Sequence, residues 1–519
     1  MRWCLHAWIT LFIYLIIGSI LGSIISPAYS AIRRATDDIP LESDYFYRLI
    51  ERASAISPSK YFTDNIKPVS MKEAVIFFNP DEEMARLFGR NERLDKFLFY
   101  SQREIKEKEY KGHNFLFNPL KRIILSGVHS KKEDALINSN FGEQFHGNYY
   151  LTLSGIGNMY LKDLAMLSYE LRLTHEEENT KLEFFRYKFK KGFKHVSFIY
   201  AKDNLLVGPG YFGKLILSDN TKPENMCLLK TEVPYNWGIL GKFRWYMWHI
   251  WYDDADRANK DPMMLGVRFS LRPFDEFELN ISRISYYSQE YEKMKDYWHL
   301  FTGKYENSSR EGDKWDVDQL ISFESSLYLP FIKKVSPFLG GKLYTEHTWE
   351  DFYGKWQERE NINEPDFVDL VSKSFIYGLF LTTGRVDARV EYAKTTRNAY
   401  ANNNFFPEGY SDDGYIIGHY LGGDSKGYFG EIYFELTDDT HISIDGGYIS
   451  RGIHLEEQQI EKSYGAGIRY IPTPSLECNF TVHYSTRNKK DMNDSPVYYT
   501  FIDEKESETF FFFTMIMWL

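Results

Sequence analysis

The sequence is poor in several features that common protein classes need. It has 3 cysteines in 519 residues, which excludes a disulfide-stabilised scaffold and a zinc or iron–sulfur framework built on several cysteines. Acidic residues outnumber basic ones by 73 to 62, so the chain is a poor candidate for a general nucleic-acid binder. The mean hydropathy of −0.44 excludes a polytopic helical membrane protein. The sequence does not decide whether Cys227 and Cys478 pair.

One long uncharged run occurs, at residues 3–25, directly after a single arginine. The small residues Ala28 and Ser30 follow it, which is the order of charge, apolar core and small residues in a secretory signal. We therefore expect residues 1–30 to be a signal peptide, with a permanent N-terminal membrane anchor as the alternative. Either segment would take the rest of the chain out of the cytoplasm.

The next part of the sequence is predicted to be helical. Ser70 followed by Glu73 is a capping box, and Asn79-Pro80 followed by acidic residues is a second helix start. Residues 31–111 are expected to form a small helical domain that precedes a larger domain, residues 112–519.

After about residue 145 the apolar residues recur at every second position, which is the period of a strand with one apolar and one polar face. Aromatic residues make up 17 % of the chain, and they contribute strongly to the apolar face. The pattern predicts about eleven strands from residue 264 onward and about seven in residues 147–249. The total of about eighteen is even, as single-chain bacterial barrels require.

The connections favour a membrane barrel over a water-soluble sandwich or barrel. Short turns such as 273–276 and 383–385 alternate with long polar segments such as 287–316 and 397–428. Transmembrane β-barrels have short periplasmic turns and longer extracellular loops. The last ten residues, Phe510–Leu519, are nearly all apolar, which suits one tilted spanning strand but is half the length of a membrane helix.

The predicted fold is mainly β: a large antiparallel transmembrane β-barrel of about 18 strands with a small N-terminal periplasmic α-helical domain. The polar faces would line the lumen, and their mixed charge predicts an interior crosslinked by ion pairs that the helical region could plug. The residues expected there are Arg268, Arg272, Arg389, Arg469, Glu278, Asp387, Glu391, Glu431, Glu435 and Glu477.

Few patterns point to chemistry. The acidic residues in 253–256 could attract a cation, although such clusters are usually solvated, and the glycine and glutamate of a calcium-binding loop are missing. His419 and Ser425 with Asp424 could be imagined as a hydrolase site, but nothing in the sequence fixes their geometry. We expect neither a metal site nor a catalytic residue.

Two segments are more distinctive. One contains Gly208-Pro209-Gly210 followed by a Leu-rich stretch and Ser218-Asp219-Asn220; the other contains Ile417-Gly418-His419 and leads to Asp424-Ser425. With Glu391-Tyr392, these segments resemble the Wzi capsule assembly proteins of Gram-negative outer membranes. Departures from the family pattern occur at Leu206-Val207, Asp219 and Lys394, where tryptophans, Asn and Asp are common.

The resemblance implies an outer-membrane barrel whose helical domain lies in the periplasm and whose long loops lie at the cell surface. It implies a non-enzymatic, lectin-like protein that binds capsular polysaccharide or another exopolysaccharide and helps to attach or assemble the capsule. No cofactor is expected. The expected partners are surface polysaccharide, outer-membrane lipid and lipopolysaccharide, with no nucleic acid, and a monomer is expected. The alternatives are a porin or substrate-specific channel and an outer-membrane hydrolase.

The motif residues divide into two groups. Backbone geometry explains Gly208, Pro209, Gly210, Gly418 and Ser425, which are expected to be structural. Stacking on sugars and hydrogen bonding to them would suit loop aromatic and polar groups, with packing between loops as the alternative. These candidate polysaccharide contacts are Tyr211, Asn220, Tyr415, His419 and Asp424.

Overall fold

The computed structural model describes a defined set of residues, and all structural statements concern them. They are residues 37–42, 44–58, 65–77, 115–130, 148–161, 164–176, 179–253, 262–287, 317–353, 369–397, 399–400, 409–413, 415–454, 458–473, 475–488 and 506–519. The expected signal peptide, the helix start at Asn79 and most of the acidic segment 253–256 lie outside this set.

Within the described residues, eighteen strands form one closed barrel. In chain order they are β1 Phe115–Ser130, β2 Tyr149–Leu161, β3 Ala165–Glu176, β4 Asn179–Gly192, β5 Val196–Asp203, β6 Glu224–Thr231, β7 Lys242–Trp251, β8 Met263–Phe274, β9 Phe277–Tyr287, β10 Asp318–Tyr328, β11 Gly340–Tyr353, β12 Asp369–Thr382, β13 Val386–Thr395, β14 Ser425–Glu435, β15 Thr440–Arg451, β16 Gln459–Thr473, β17 Leu476–Asn488 and β18 Glu506–Trp518. Each strand pairs antiparallel with the next, and β18 closes the ring by pairing with β1.

Burial alternates along the strands because successive side chains point to opposite faces of a sheet. On β10, Phe323 and Leu327 are exposed on the outside, whereas Ser322, Glu324 and Ser326 are buried in the lumen. All ten charged residues that the sequence pattern places in the lumen are buried, which confirms that prediction. The outside is apolar and the inside polar, the reverse of a water-soluble barrel.

The predicted total of about eighteen strands is confirmed, as are the eleven from β8 onward. In residues 147–249, where about seven strands are predicted, six of the eighteen long strands lie beside a two-residue strand, 235–236, that pairs with β7; the remaining long strand is β1. Strand β1 contains Pro119, Lys121 and Arg122, and its register with β2 shifts between Asn118 and Arg122. This irregularity interrupts the alternation that identifies a strand from its sequence.

The short connections gather at one rim of the barrel, here called the short-turn rim. Examples are residues 275–276 between β8 and β9, and residues 383–385 between β12 and β13. The connections at the opposite rim, the long-loop rim, include the longest gaps between strands, such as the one from β9 to β10. This asymmetry agrees with the layout that the sequence predicts.

The described residues of the N-terminal segment, 37–42, 44–58 and 65–77, lie in the lumen at the short-turn rim and are here called the plug. The plug contains helices α1 (Asp44–Ile56) and α2 (Met71–Phe77). The expected capping box is present: the Ser70 N–H donates to Glu73 at 2.8 Å, and the Glu73 N–H donates to the Ser70 hydroxyl at 3.2 Å. The apolar face of α1 packs against the barrel wall, where Phe46 meets Trp518 with ring centroids 6.2 Å apart.

Among the described residues, no helix has both the length and the apolar composition to cross a bilayer. No disulfide joins Cys227 on β6 to Cys478 on β17. No group of three or more acidic, histidine or cysteine side chains in the described part of the chain is arranged to hold a metal ion.

Candidate functional site

The connection between β5 and β6, residues 204–223, folds back into the lumen. Val207 pairs with Ile66 of the N-terminal segment and forms a bridge with Leu217 later in the same connection. These pairings satisfy backbone groups that would otherwise be buried without partners. The segment is here called the first lumen loop.

Glycine is needed at two positions of the first lumen loop. Gly208 has a φ of +134°, and a side chain there would meet the carboxylate of Glu346 on β11 at 2.7 Å. Gly210 lies against the backbone of Gly213, and Pro209 fixes the bend between the two motif glycines. The structural role expected for this turn agrees with its tight packing inside the barrel.

The connection between β13 and β14, residues 396–424, is here called the second lumen loop, and its described residues pack against the first lumen loop. Hydrogen bonds join the two loops: Tyr400 and Tyr410 donate from their hydroxyls to the Leu215 and Ile216 carbonyls at 2.8 and 3.1 Å, and the Ser218 N–H donates to the Ile417 carbonyl at 2.9 Å. The two segments that carry the family resemblance therefore meet in space.

Asn220 and Gly418 form part of this junction. Asn220 is buried, and its Nδ2 amide donates to the carbonyls of Ile416 and Gly418 at 3.2 and 2.6 Å. A side chain at Gly418 would meet the Leu215 carbonyl and the Tyr400 ring, both at 2.6 Å. Both residues hold the two loops together.

Tyr211 reaches from the first lumen loop to the plug and the barrel wall. Its N–H donates to Glu391 Oε2 at 2.9 Å, and its hydroxyl donates to Glu431 at 3.2 Å while accepting a bond from Arg48 of α1. The guanidinium of Arg389 lies 3.8 Å from its ring centroid. Burial raises the pKa of the Tyr211 phenol well above its ordinary value, so the hydroxyl stays protonated.

His419 is fully buried between the two lumen loops. Its Nδ1 accepts a bond from the Leu421 N–H at 3.2 Å, while its ring leaves no room for a side chain on Gly213. Burial, together with the positive charges of Lys214 and Arg451, lowers the pKa of this imidazole to about 3. The ring is therefore neutral at physiological pH, with its proton on Nε2.

Asp424 and Ser425 close the second lumen loop where β14 begins. Asp424 has a φ of +49°, and its carboxylate contacts the His454 ring and accepts the His454 N–H at 3.4 Å. The Ser425 hydroxyl donates to the Gly423 carbonyl at 2.7 Å. Because Asp424 bonds His454 and not His419, the geometry gives no support to a Ser–His–Asp hydrolase arrangement.

Tyr415 belongs to a short hairpin in the second lumen loop, in which residues 411–412 pair with residues 415–416. Its side chain is buried, and its hydroxyl has no hydrogen-bond partner among the described residues. Burial raises the pKa of Tyr415 to about 12, with Asp413 contributing. Of the five candidate polysaccharide contacts, Tyr211 alone borders the large cavity of the described lumen, and the other four lie elsewhere in the two lumen loops.

The plug is bound to the barrel wall by buried ion pairs. On α1, Arg48 pairs with Glu431, Glu51 pairs with Arg389, and Arg52 pairs with Asp387 at 2.8 Å and with Glu435. Although burial alone would raise it, the neighbouring Arg389 lowers the pKa of the Glu51 carboxyl to about 2.

Other parts of the plug repeat this pattern. Asp38 pairs with Lys188 on β4 at 2.7 Å and with Lys190 at 3.2 Å. The Glu73 carboxylate of α2 lies 2.7 Å from Lys230 on β6 and 3.1 Å from Arg244 on β7. Charged groups of the plug thus meet opposite charges on several strands, and each buried charge needs its partner because water is excluded.

A cavity of about 550 Å³ remains in the lumen between the first lumen loop and the wall formed by β1, β2 and β14–β18. Phe510 and Phe512 on β18 and Tyr150 on β2 cluster on the wall side, while Tyr211 and Phe212 lie on the loop side. Hydroxyl, amide and charged groups fill the surface between them: Ser126, Asp445, Glu461, Ser463, Asn479, Thr481 and Arg487. Aromatic faces beside many hydrogen-bonding groups are the features that suit a carbohydrate.

Sequence reasoning identified the two motif segments but missed their partners. The hydroxyls of Tyr400 and Tyr410, the basic residues of α1 and the aromatic wall of the cavity were not singled out. A signal for the plug was present, because Arg48, Glu51 and Arg52 recur at helical spacing and form a charged stripe on a helix that is otherwise largely apolar.

Comparisons with known proteins agree with this geometry. The family model for the capsule assembly protein Wzi matches residues 125–496. Wzi of Escherichia coli, an outer-membrane protein involved in group 1 capsule assembly and a carbohydrate-binding β-barrel, superposes with a TM-score of 0.63 at 15% identity, covering 92% of this chain and 99% of that one. The outer-membrane protein OprD of Pseudomonas aeruginosa has a TM-score of 0.45 at 7% identity, covering 77% and 94%. Among curated proteins, no significant match is found.

Proposed function

The chain belongs to the family of Wzi capsule assembly proteins, and from this premise we propose that it is a non-enzymatic, lectin-like protein of the outer membrane. In this proposal it binds capsular or other exopolysaccharide and helps to attach or assemble the capsule at the cell surface. The E. coli protein whose fold it shares is a carbohydrate-binding barrel, which supports the same class of ligand here.

One observation carries the proposal: the plug and the two lumen loops fill the barrel but leave a cavity with aromatic walls and polar groups between them. An occupied lumen is poorly suited to diffusion, whereas the cavity has the chemistry that stacks on sugar rings and hydrogen-bonds sugar hydroxyls. Of the candidate contacts, Tyr211 borders this cavity. Phe512 on β18 also borders it. Asn220, Tyr415, His419 and Asp424 then position the loops.

The apolar exterior and the loop asymmetry support an orientation for this barrel. We infer that the short-turn rim and the plug face the periplasm and that the long-loop rim faces the cell surface, as in bacterial outer-membrane barrels. Residues 31–111 would then be the periplasmic domain, of which the described part occupies the barrel mouth, and residues 112–519 the membrane domain.

The polysaccharide proposal is tested with the purified barrel and the surface polysaccharide of its own host. We expect measurable binding by calorimetry, and we expect Phe512→Ala to weaken it about fivefold, because an aromatic stacking partner contributes about 0.5–1.5 kcal/mol. Phe511→Ala is the matched control, since Phe511 is the neighbouring ring and does not border the cavity. Equal affinities of the two variants would place the glycan elsewhere, and no binding by the unaltered protein would contradict the proposal.

A porin or substrate-specific channel is the second candidate, and the closed eighteen-stranded ring is the observation that favours it. Ion conductance in planar bilayers separates the two functions. The filled lumen predicts little or no current, whereas a large and steady current through the unaltered barrel would favour the channel.

A further inference from the structure

Two lysines face each other on the outside of the barrel near the long-loop rim. Lys394 on β13 and Lys426 on β14 are directly opposite in the strand register. Their chain neighbours Ala393, Thr395 and Ser425 are buried on the lumen side, so the lysine side chains point outward.

Two further lysines extend this pair along the same face. Lys373 on β12 lies two positions beyond Phe375, which is opposite Lys394. Lys462 on β16 is opposite Tyr448 and also points outward. The four residues Lys373, Lys394, Lys426 and Lys462 are here called the lysine patch, and they span five adjacent strands.

The lysine patch has no counter-charge within the described part of the chain. None of its four ammonium groups forms an ion pair with a described carboxylate, although many other described lysines do, Lys181 with Glu183 at 2.7 Å among them. Two like charges directly opposite each other destabilise a sheet. An anion placed against the two lysines would offset this cost.

The surroundings show where that anion would lie. Directly below the patch, Tyr392 and Tyr428 stack with ring centroids 4.8 Å apart, and Phe375 and Tyr448 lie beside them at 5.8 and 6.5 Å. Such outward aromatic belts lie at the boundary between hydrocarbon and headgroups. Lys394 is two residues beyond Tyr392 toward the rim, about 7 Å along the strand, which is the level of the headgroups.

We propose that the lysine patch binds the phosphate groups of a phosphorylated glycolipid in the leaflet that surrounds the long-loop rim. The patch is continuous with the apolar exterior of the barrel, so a lipid whose chains lie against that exterior brings its phosphates to these ammonium groups. Lys394 and Lys426 bind one phosphate between them, and Lys373 and Lys462 extend the positive charge to either side. The choice of a glycolipid rests on the orientation proposed above, because that leaflet would face the cell surface.

The test titrates lipid A that carries two phosphates onto the purified full-length barrel in micelles of an uncharged detergent. Lys394→Gln with Lys426→Gln is expected to weaken binding about thirtyfold, because each lysine near an anionic headgroup contributes about 1 kcal/mol. The matched control replaces Lys333 and Lys334, an exposed pair at the short-turn rim, by Gln. The control removes the same charge and is expected to change binding less than twofold.

Lys394→Asp separates loss of the site from loss of the fold. An aspartate at this position would pair with Lys426, so the variant is expected to be at least as heat-stable as the unaltered protein while binding lipid A more weakly. Heat-dependent gel mobility measures the first property, and native mass spectrometry measures the second. A stable variant that keeps full lipid A affinity would overturn the proposal.

Two other results would also overturn it. One is equal binding of lipid A with and without its phosphates. The other is tighter binding, through these same lysines, of phosphatidylglycerol vesicles than of lipid A, which would assign the patch to the opposite leaflet. Polysaccharide binding is scored separately with Phe512→Ala, so failure of the lipid site and failure of the glycan proposal are distinguishable.

Discussion

Arg52 is the residue at which the plug depends most on the barrel wall. Its guanidinium is buried beside two carboxylates, Asp387 and Glu435, which belong to neighbouring strands. Replacing one partner of a buried ion pair leaves the opposite charge without compensation, which is far more costly than replacing the pair by apolar groups. Substitution of Arg52 is therefore expected to destabilise the protein, because the two buried carboxylates remain without a cation.

Arg52→Ala is expected to lower the free energy of unfolding by about 3–5 kcal/mol, since two buried carboxylates lose their cation. Urea titration of the barrel in detergent, followed by tryptophan fluorescence, measures the change. Arg385→Ala is the control: Arg385 forms an exposed ion pair with Asp438 at 3.3 Å on a nearby turn, and its loss should cost less than about 1 kcal/mol. Similar losses for the two variants would contradict the role assigned to Arg52.

His419 gives a prediction for pH. Its pKa is held near 3 in the folded protein, below the ordinary value of 6.5, so the unfolded chain binds the proton more readily. The stability that this residue contributes is present above pH 6.5 and is lost as the pH falls from there toward 3. His419→Gln should reduce the slope of unfolding free energy against pH in this window while leaving the slope above pH 7 unchanged. An unchanged slope below pH 6.5 would show that His419 is accessible to protons.

At this scale, the sequence was informative about identity and less so about contacts. It singled out Gly208, Gly418 and His419, because motif residues can be recognised from local order and spacing. It could not place Asn220 or His419 within a junction of two loops, because these contacts join positions about 200 residues apart. A local sequence pattern cannot predict contacts between two loops that follow different strands.

Among the elements, α1 has the clearest functional consequence. It lies across the short-turn rim of the lumen and is bonded to β13 and β14 through Arg48, Glu51 and Arg52. Its apolar face packs on β1 and β18, so the same helix contacts two separate parts of the barrel wall. Closure of this rim therefore depends on ion pairs on one side and on apolar packing on the other.

Weakening the ion pairs should open the barrel. The double variant Arg48→Ala and Arg52→Ala is expected to give frequent current steps in planar bilayers, because α1 would lose its ion pairs with Glu431, Asp387 and Glu435 and keep only that of Glu51 with β13. The exposed variant Arg385→Ala should remain as silent as the unaltered protein. A silent double variant that is still folded would mean that the lumen loops, and not α1, close the barrel.

The strands were the elements most predictable from the sequence. Strict alternation identified β8, β9, β13, β14 and β17, since a barrel wall between an apolar exterior and a polar lumen imposes a period of two. Strand β1 was not predicted, because Pro119 and the register shift beside it interrupt the alternation of apolar and polar residues. Burial of the two lumen loops was not predicted for a different reason. Long polar connections predict exposure at a rim, whereas the described residues of these two connections are buried by their contacts with each other.

For the whole molecule, the proposed function concerns retention of polymer and not its export. A strain that lacks this protein is expected to produce normal amounts of surface polysaccharide but to release most of it into the medium. Measuring uronic acid or total sugar in the cell pellet and the supernatant tests this expectation. A normal cell-associated fraction would contradict the proposal, and a fall in total polymer would indicate a role in export.

The seam between β1 and β18 has a consequence for biogenesis. Register pairs run from Arg122 opposite Trp518 to Ser130 opposite Phe510, and the Leu519 N–H donates to the Lys121 carbonyl at 2.9 Å. The ring is thus closed by pairing between its first and last strands, and Trp518 contacts Phe46 of the plug at that same seam. Without β18, the facing edges of β1 and β17 would leave their backbone N–H and C=O groups unpaired in hydrocarbon, so stable insertion into the bilayer requires β18 to pair with both neighbours.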